Sequence, residues 1–242
     1  LNGAGAVLKV TGATTIDNAL SVGSSGGKIE NTAAATLSGV VSGTGAFTKS
    51  GAGTLSLTGS NSHTGGITVS AGTLALSGGS SIDDSSAVTV DSGASVTLAG
   101  AETIGSLSGA GSVVLSGNLT VGNANSTTFS GAISSTNTSG VTKVGSGTLT
   151  LTGNNTYTGD TTISAGGLTL NRSGGALSDN TAVTVASGAT LTLSTNDTVG
   201  SVAGAGTVAL GSSLLTLGGD NTSTTLSGNI TGASGGSIKK MG

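Results

Sequence analysis

Apolar and polar residues alternate along this chain in short bursts. Leu55 and Leu57 are interleaved with Thr54, Ser56 and Thr58, and Ile67 and Val69 flank Thr68. Leu74 and Leu76, Val88 and Val90, and Val96 and Leu98 continue the pattern. It returns at Leu149 and Leu151, Ile163, Leu168 and Leu170, Val183 and Val185, and Leu191 and Leu193. Strict alternation predicts strands with one apolar and one polar face. Each burst is about four or five residues long. Gly-, Ser- and Asn-rich corners separate the bursts, where positive φ is often needed. Many short strands can build a sandwich, a barrel or a solenoid.

Repetition decides among these. The segment FTKSGAGTLSLTGSNSHTGGITVSAGTLAL, from Phe47, aligns with VTKVGSGTLTLTGNNTYTGDTTISAGGLTL, from Val141. Gly51 then matches Gly145, and a third copy opens at Ile238 and reaches Gly242. Looser copies follow: the stretch from Asp84 matches that from Asp179, and IGSLSGAGSVVL from Ile104 matches VGSVAGAGTVAL from Val199. Repeats of this kind favour a solenoid, because each coil can lie on a similar coil. The expected fold is therefore all-β: a parallel β-helix forming one domain over 1–242. The repeats divide at 1–50, 51–144 and 145–241, with the next starting at 242. At ~20–25 residues per coil the chain makes about ten or eleven coils. Because it opens and closes in mid-repeat, it is read as a segment of a longer chain.

Composition narrows the function. Gly (46), Ser (39) and Thr (41) make up half of the 242 residues, and only 7% are charged. A narrow parallel coil stacks like over like, so a repeated charge would repel its own neighbour, whereas Thr, Ser and Asn form ladders. The regular Val, Leu and Ile content argues against disorder. The absence of Cys removes disulfide scaffolds and thiolate metal sites. A net charge of −3 lacks the basic face of a nucleic-acid binder. No apolar run approaches the ~18 residues of a membrane-spanning helix.

The two clear copies resemble the passenger-associated transport repeat, also called the autotransporter-associated β-strand repeat. The pattern is carried by Lys49, Gly51, Gly53, Leu55, Leu57, Asn61, His63 and Gly65 in the first copy. Lys143, Gly145, Gly147, Leu149, Leu151, Asn155, Tyr157 and Gly159 carry it in the second. His63 stands where the family has Tyr. The resemblance implies a secreted right-handed β-helix of a Gram-negative bacterium. Such a passenger crosses the outer membrane through a translocator barrel or other secretion machinery and is displayed at the cell surface. A chain that crosses the periplasm unfolded cannot tolerate disulfides, which fits the missing Cys.

Candidate chemistry is sparse. The lone His63 matches Tyr157 and reads as a corner residue. The stretch Gly23-Ser24-Ser25-Gly26-Gly27 formally matches a nucleophile elbow, but that motif needs a following helix, which this composition does not provide. Asp83 and Asp84 are an adjacent pair whose counterparts are Ser178 and Asp179, and they read as a solvated loop. Lys49, Lys143 and Lys240 share one repeat position and read as solvated charges that discourage edge pairing. Phe47 aligns with Val141 and Ile238 and reads as core. No catalytic, cofactor or metal residues are assigned. The expected role is a rigid passenger stalk or adhesin-like surface element, with a host or environmental surface as a further partner. The alternative is a self-assembling filament or sheath subunit stacked end to end on copies of itself. A polysaccharide-acting enzyme would need clustered carboxylates and aromatic platforms, and the aromatic residues are only Phe47, Phe129 and Tyr157.

Overall fold

The computed structural model describes residues 1–3, 5–77 and 80–241. Gly242, where the third repeat was expected to reach its first signature glycine, lies outside the described residues. Among the described residues every regular element is a strand, paired in parallel. Among the described residues no helix is long and apolar enough to cross a membrane. The chain forms two units, Leu1–Leu119 and Thr120–Gly242. Their boundary falls inside the sequence repeat 51–144.

In the first unit the strands Val7–Val10, Gly27–Asn31, Phe47–Ser50, Ile67–Val69, Ala87–Val90 and Ser106–Gly109 lie side by side as six rungs of one face. A second face stacks Thr14–Ile16, Ala35–Leu37, Thr54–Leu57, Thr73–Leu76, Ser95–Leu98 and Ser112–Leu115. A third carries Leu20–Val22, Val41–Gly43 and Ser62–His63. The second unit repeats the design, with six rungs from Thr127–Phe129 to Asn229–Thr231 on its first face. Sequential strands on different faces with parallel neighbours one coil away define a parallel β-solenoid. Coil length varies: Leu191 stacks 23 residues above Leu168, and Val208 only 17 above Leu191. Coils shorter than the expected 20–25 residues fit six rungs into each unit.

Alternation drives this arrangement. Every second residue turns inward and lies on its like in the next coil. Leu55, Leu74, Val96 and Val113 form one inner column, and Leu57, Leu76, Leu98 and Leu115 the column beside it. In the second unit Leu149, Leu168, Leu191 and Val208 do the same. All are essentially inaccessible to water. Each such side chain contributes roughly 1.5–3 kcal/mol by leaving water. The Thr and Ser between them point outward, where β-branching suits the extended backbone. Phe47 sits in an inner column with Ile67, Val88 and Leu107, as expected of a core residue.

Candidate functional site

The repeat signature maps onto one coil of each unit. Leu55 and Leu57, like Leu149 and Leu151, supply the inner columns just described. Gly51 and Gly145 form the corner before them, with φ of 80° and 71°, a left-handed conformation that favours glycine. A Cβ at Gly53 or Gly147 would run into the carbonyl of Ala33 or Asn125 in the coil beneath, so glycine here permits the coil spacing itself. Gly65 and Gly159 are crowded in the same way by the backbone at Gly45 and at Thr138–Ser139.

The lysines overturn one expectation. Lys49 and Lys143 are buried, with 0% and 1% exposure, whereas Lys240 is exposed. Lys49 occupies an inward slot between Ile29 and Val69, on the same strand face as Phe47. Its aliphatic stem fills that slot and its ammonium turns into the glycine corner. There Nζ donates to the carbonyls of Ser50 (3.1 Å), Gly51 (2.7 Å) and Ala71 (2.8 Å). Lys143 Nζ donates to Val144 (2.6 Å), Gly145 (3.0 Å) and Ala165 (3.3 Å). In each copy the lysine thus binds its own corner to that of the next coil. The parity rule for strands places position 49 inward with Phe47, and parity outweighs charge because the corner carbonyls offer the ammonium acceptors. Burial pulls Lys49 down to about 8 and lowers Lys143 as well.

The signature asparagines begin a second device. Asn61 accepts from the backbone N–H of Val41 in the coil before (2.6 Å) and donates to the carbonyl of Ser81 in the coil after (2.6 Å). Asn155 accepts from Ile133 N–H (2.9 Å) and donates to Gly153 (3.2 Å) and Ala176 (2.8 Å). The column then continues one coil further. Ser81 and Ile82 N–H donate to the carboxylate of Glu102 (3.2 and 3.4 Å), and Ala176 N–H donates to Asp197 Oδ2 (2.8 Å). Four successive coils in each unit are joined through a corner by two buried polar side chains.

Glu102 and Asp197 were not picked out from the sequence. The signal was present: each lies two residues before the aligned Ile104 and Val199, on the inward parity, at 3% and 4% exposure. Burial pushes Glu102 up to about 7 and Asp197 up to about 6, outweighing the backbone donors. These groups keep their protons in the folded state over a range where the unfolded chain has released them. Stability is therefore highest near pH 4–5 and falls as pH rises through 6 to 7, by on the order of 2 kcal/mol. Urea midpoints measured with chelator across pH 4.5–8 test this. Glu102→Gln and Asp197→Asn should each flatten the slope, and a profile insensitive to both substitutions would refute the assignment.

At the family tyrosine the two copies exchange volume. Tyr157 is fully buried, and its hydroxyl lies 2.6 Å from Thr161 Oγ1. Burial raises its pKa. The strand rung at this level carries Val141, stacked on Thr161. In the first copy Phe47 replaces that valine and Ile67 the threonine, and the smaller His63 takes the tyrosine's place. His63 packs against Phe47, centroids 5.1 Å apart at 58°, and Nε2 bonds the Gly45 carbonyl. His63 is thus a buried residue of the short strand Ser62–His63 rather than the corner residue expected, whereas Tyr157 lies outside any strand.

The remaining candidates are local. Residues 23–27 form a turn that leads into the strand Gly27–Asn31. Asp83 accepts from Ser85 N–H (2.9 Å), and the Ser85 hydrogen bonds hold its carboxyl below the usual range. Asp84 is exposed. Among the described residues no three His, Asp or Glu side chains gather as a metal-binding group.

The fold and these corner networks define a structural repeat protein of the parallel β-solenoid class. The family model for the Passenger-associated-transport-repeat matches residues 47–76 and 141–170, the two segments whose lysines, glycines and asparagines build the corners. The chain therefore carries two copies of that repeat. No curated protein and no solved structure matches it.

Proposed function

We propose that the chain is a non-catalytic segment of a secreted or surface-displayed bacterial passenger. In this reading it is a right-handed solenoid that serves as a rigid stalk or adhesin-like surface element. One observation carries it: the repeat signature is spent on joining coil to coil, and its lysines, asparagines and aromatic residues point inward. The two passenger-associated transport repeats support export through an outer-membrane translocator barrel or related machinery. Coils that need only their neighbours suit a chain that folds as it emerges.

Antibody raised against the folded chain should label intact cells of the source organism to the same extent as permeabilised ones. Labelling that appears only after permeabilisation would rule out surface display. Self-association is the second reading, supported by the like-on-like stacking of the coils, which copies of the chain could continue end to end. Electron microscopy of extracellular material separates the two: uniform filaments of this chain support the polymer, and single rods at the cell envelope support the stalk.

A further inference from the structure

The corners of the second unit differ in length from one coil to the next. Residues 171–181, between the strands Gly167–Leu170 and Ala182–Val185, form a long loop. In the next coil only 194–196 separate Thr190–Leu193 from Asp197–Val199. In the coil after that, 210–213 separate Thr207–Ala209 from Leu214–Leu217. A long loop beside two short corners leaves a step, and a solvent-open cavity of about 670 Å³ occupies it. The loop brings Asp179 to this cavity, the next corner brings Ser194 and Asn196, and the third brings Ser212 and Ser213.

The step is held in shape by its own side chains. Arg172 N–H donates to Thr195 Oγ1 (3.0 Å), and that hydroxyl donates back to the Arg172 carbonyl (2.9 Å). The Arg172 guanidinium donates to the Gly175 carbonyl (2.6 Å). The loop is thereby pinned to the next corner. Asn196 Oδ1 accepts from Leu214 N–H (2.8 Å), which orients the amide and leaves its exposed Nδ2 to donate. Asp179 is exposed and brings carboxylate acceptors, and the serine hydroxyls both donate and accept. Among the described residues that line the cavity, Leu214 alone is aliphatic. Such a lining suits a ligand that is itself a dense array of hydroxyls, and it offers no apolar pocket to anchor a peptide side chain.

We propose that this cavity binds a neutral oligosaccharide, with Asp179 accepting from sugar hydroxyls and the Asn196 amide donating to them. A sugar site names the ligand class of the adhesin-like reading above, on which it rests. The first unit supplies an internal control. Asp84 stands there in the place of Asp179, but the residues aligned with Ser194, Thr195 and Asn196 are Ala99, Gly100 and Ala101, whose side chains make no hydrogen bonds. Binding is therefore expected in the second unit and not in the first.

With no aromatic ring to stack on a sugar face, affinity is low, with a dissociation constant of roughly 1 mM. Saturation-transfer NMR of the 242-residue chain tests this against a panel of neutral oligosaccharides of glucose, galactose, mannose and N-acetylglucosamine. At least one panel sugar should show transfer. Asp179→Ala, at an exposed position, should weaken that binding about tenfold and keep the wild-type melting temperature. Asn196→Asp keeps the acceptor for Leu214 N–H, removes the donor, and should weaken binding to a similar extent. Asp84→Ala should leave it unchanged. Absence of transfer from every panel sugar, binding that Asp179→Ala and Asn196→Asp both leave intact, an equal loss in Asp84→Ala, or transfer from a random hexapeptide pool in place of the sugars would each overturn the proposal. Surface display is read separately by antibody labelling, so a failed sugar titration leaves that reading standing.

Discussion

Asn155→Ala is expected to cost the fold about 3 kcal/mol, a large share of the stability of an ordinary domain. The side chain is 1% exposed and serves three backbone groups that water cannot reach. Its loss strands the N–H of Ile133, which has Asn155 Oδ1 as its acceptor, and withdraws a donor from the carbonyls of Gly153 and Ala176. The Ala176 carbonyl keeps the backbone N–H of residue 155 (3.1 Å), so the deficit falls mainly on Ile133 and on the small cavity left behind. Asn155→Asp separates shape from hydrogen bonding. It preserves the acceptor toward Ile133 but aims a carboxylate oxygen at two carbonyls. At pH 7 it should be worse than alanine, and below about pH 4, where the acid can donate, the order should reverse. Asn61→Ala should behave like Asn155→Ala, because Asn61 also links the coil before to the coil after. Urea unfolding gives the numbers. A loss under about 1 kcal/mol for both alanine variants would mean that the asparagine column does not hold the coils together.

Much of this fold was legible because a solenoid obeys local rules. Alternation at Leu55 and Leu57 gives the strand and its inner face, and its return at Leu74 and Leu76 marks the coil that stacks on it, a pattern repeated at Leu149 and Leu168. The signature glycines mark positions where the preceding coil's backbone passes too close for a Cβ. The polar interior was harder to read, for two physical reasons. Lys49 was assigned by its charge, which favours solvent, although its place two residues after Phe47 puts it inside. Carbonyls at a tight corner can hold a buried ammonium without a carboxylate, and nothing in composition reports that. Glu102 and Asp197 are inconspicuous in the sequence because neither has an acidic neighbour along the chain. In a solenoid, partners are one coil apart: Asp84 meets Glu102 and Asp179 meets Asp197 across about eighteen positions. The contrast between Phe47 with His63 and Val141 with Tyr157 is the same lesson in volume, since the exchange makes sense only when the two positions are seen packed together.

The buried lysines set attraction against desolvation, and substitution at Lys49 shows which prevails. Burying an ammonium without a counter-ion costs several kcal/mol. Three donated hydrogen bonds of 2.7–3.1 Å offset this, each charge-assisted and worth roughly 1.5–3 kcal/mol. On balance Lys49→Met should destabilise by about 2 kcal/mol at pH 7: the methionine refills the slot between Ile29 and Val69, but the corner carbonyls lose their donor. Lys49→Ala adds a cavity at a residue with 0% exposure and should cost about 4 kcal/mol. The difference between the two separates filling from bonding. The pH dependence gives a further check. The folded state releases the Lys49 proton near pH 8, while the unfolded chain holds it to about 10.5, so the unfolded state binds more protons in between. Wild-type stability should therefore rise from pH 8 to pH 10; Lys49→Met loses the Lys49 share of that rise and keeps the share of Lys143, so the methionine variant falls further behind at pH 10 than at pH 7. A neutral amine still donates to the corner carbonyls, which is why deprotonation does not dissolve the corner. If the methionine variant instead gained on the wild type at high pH, the charge and not the hydrogen bonds would be what holds the corner closed.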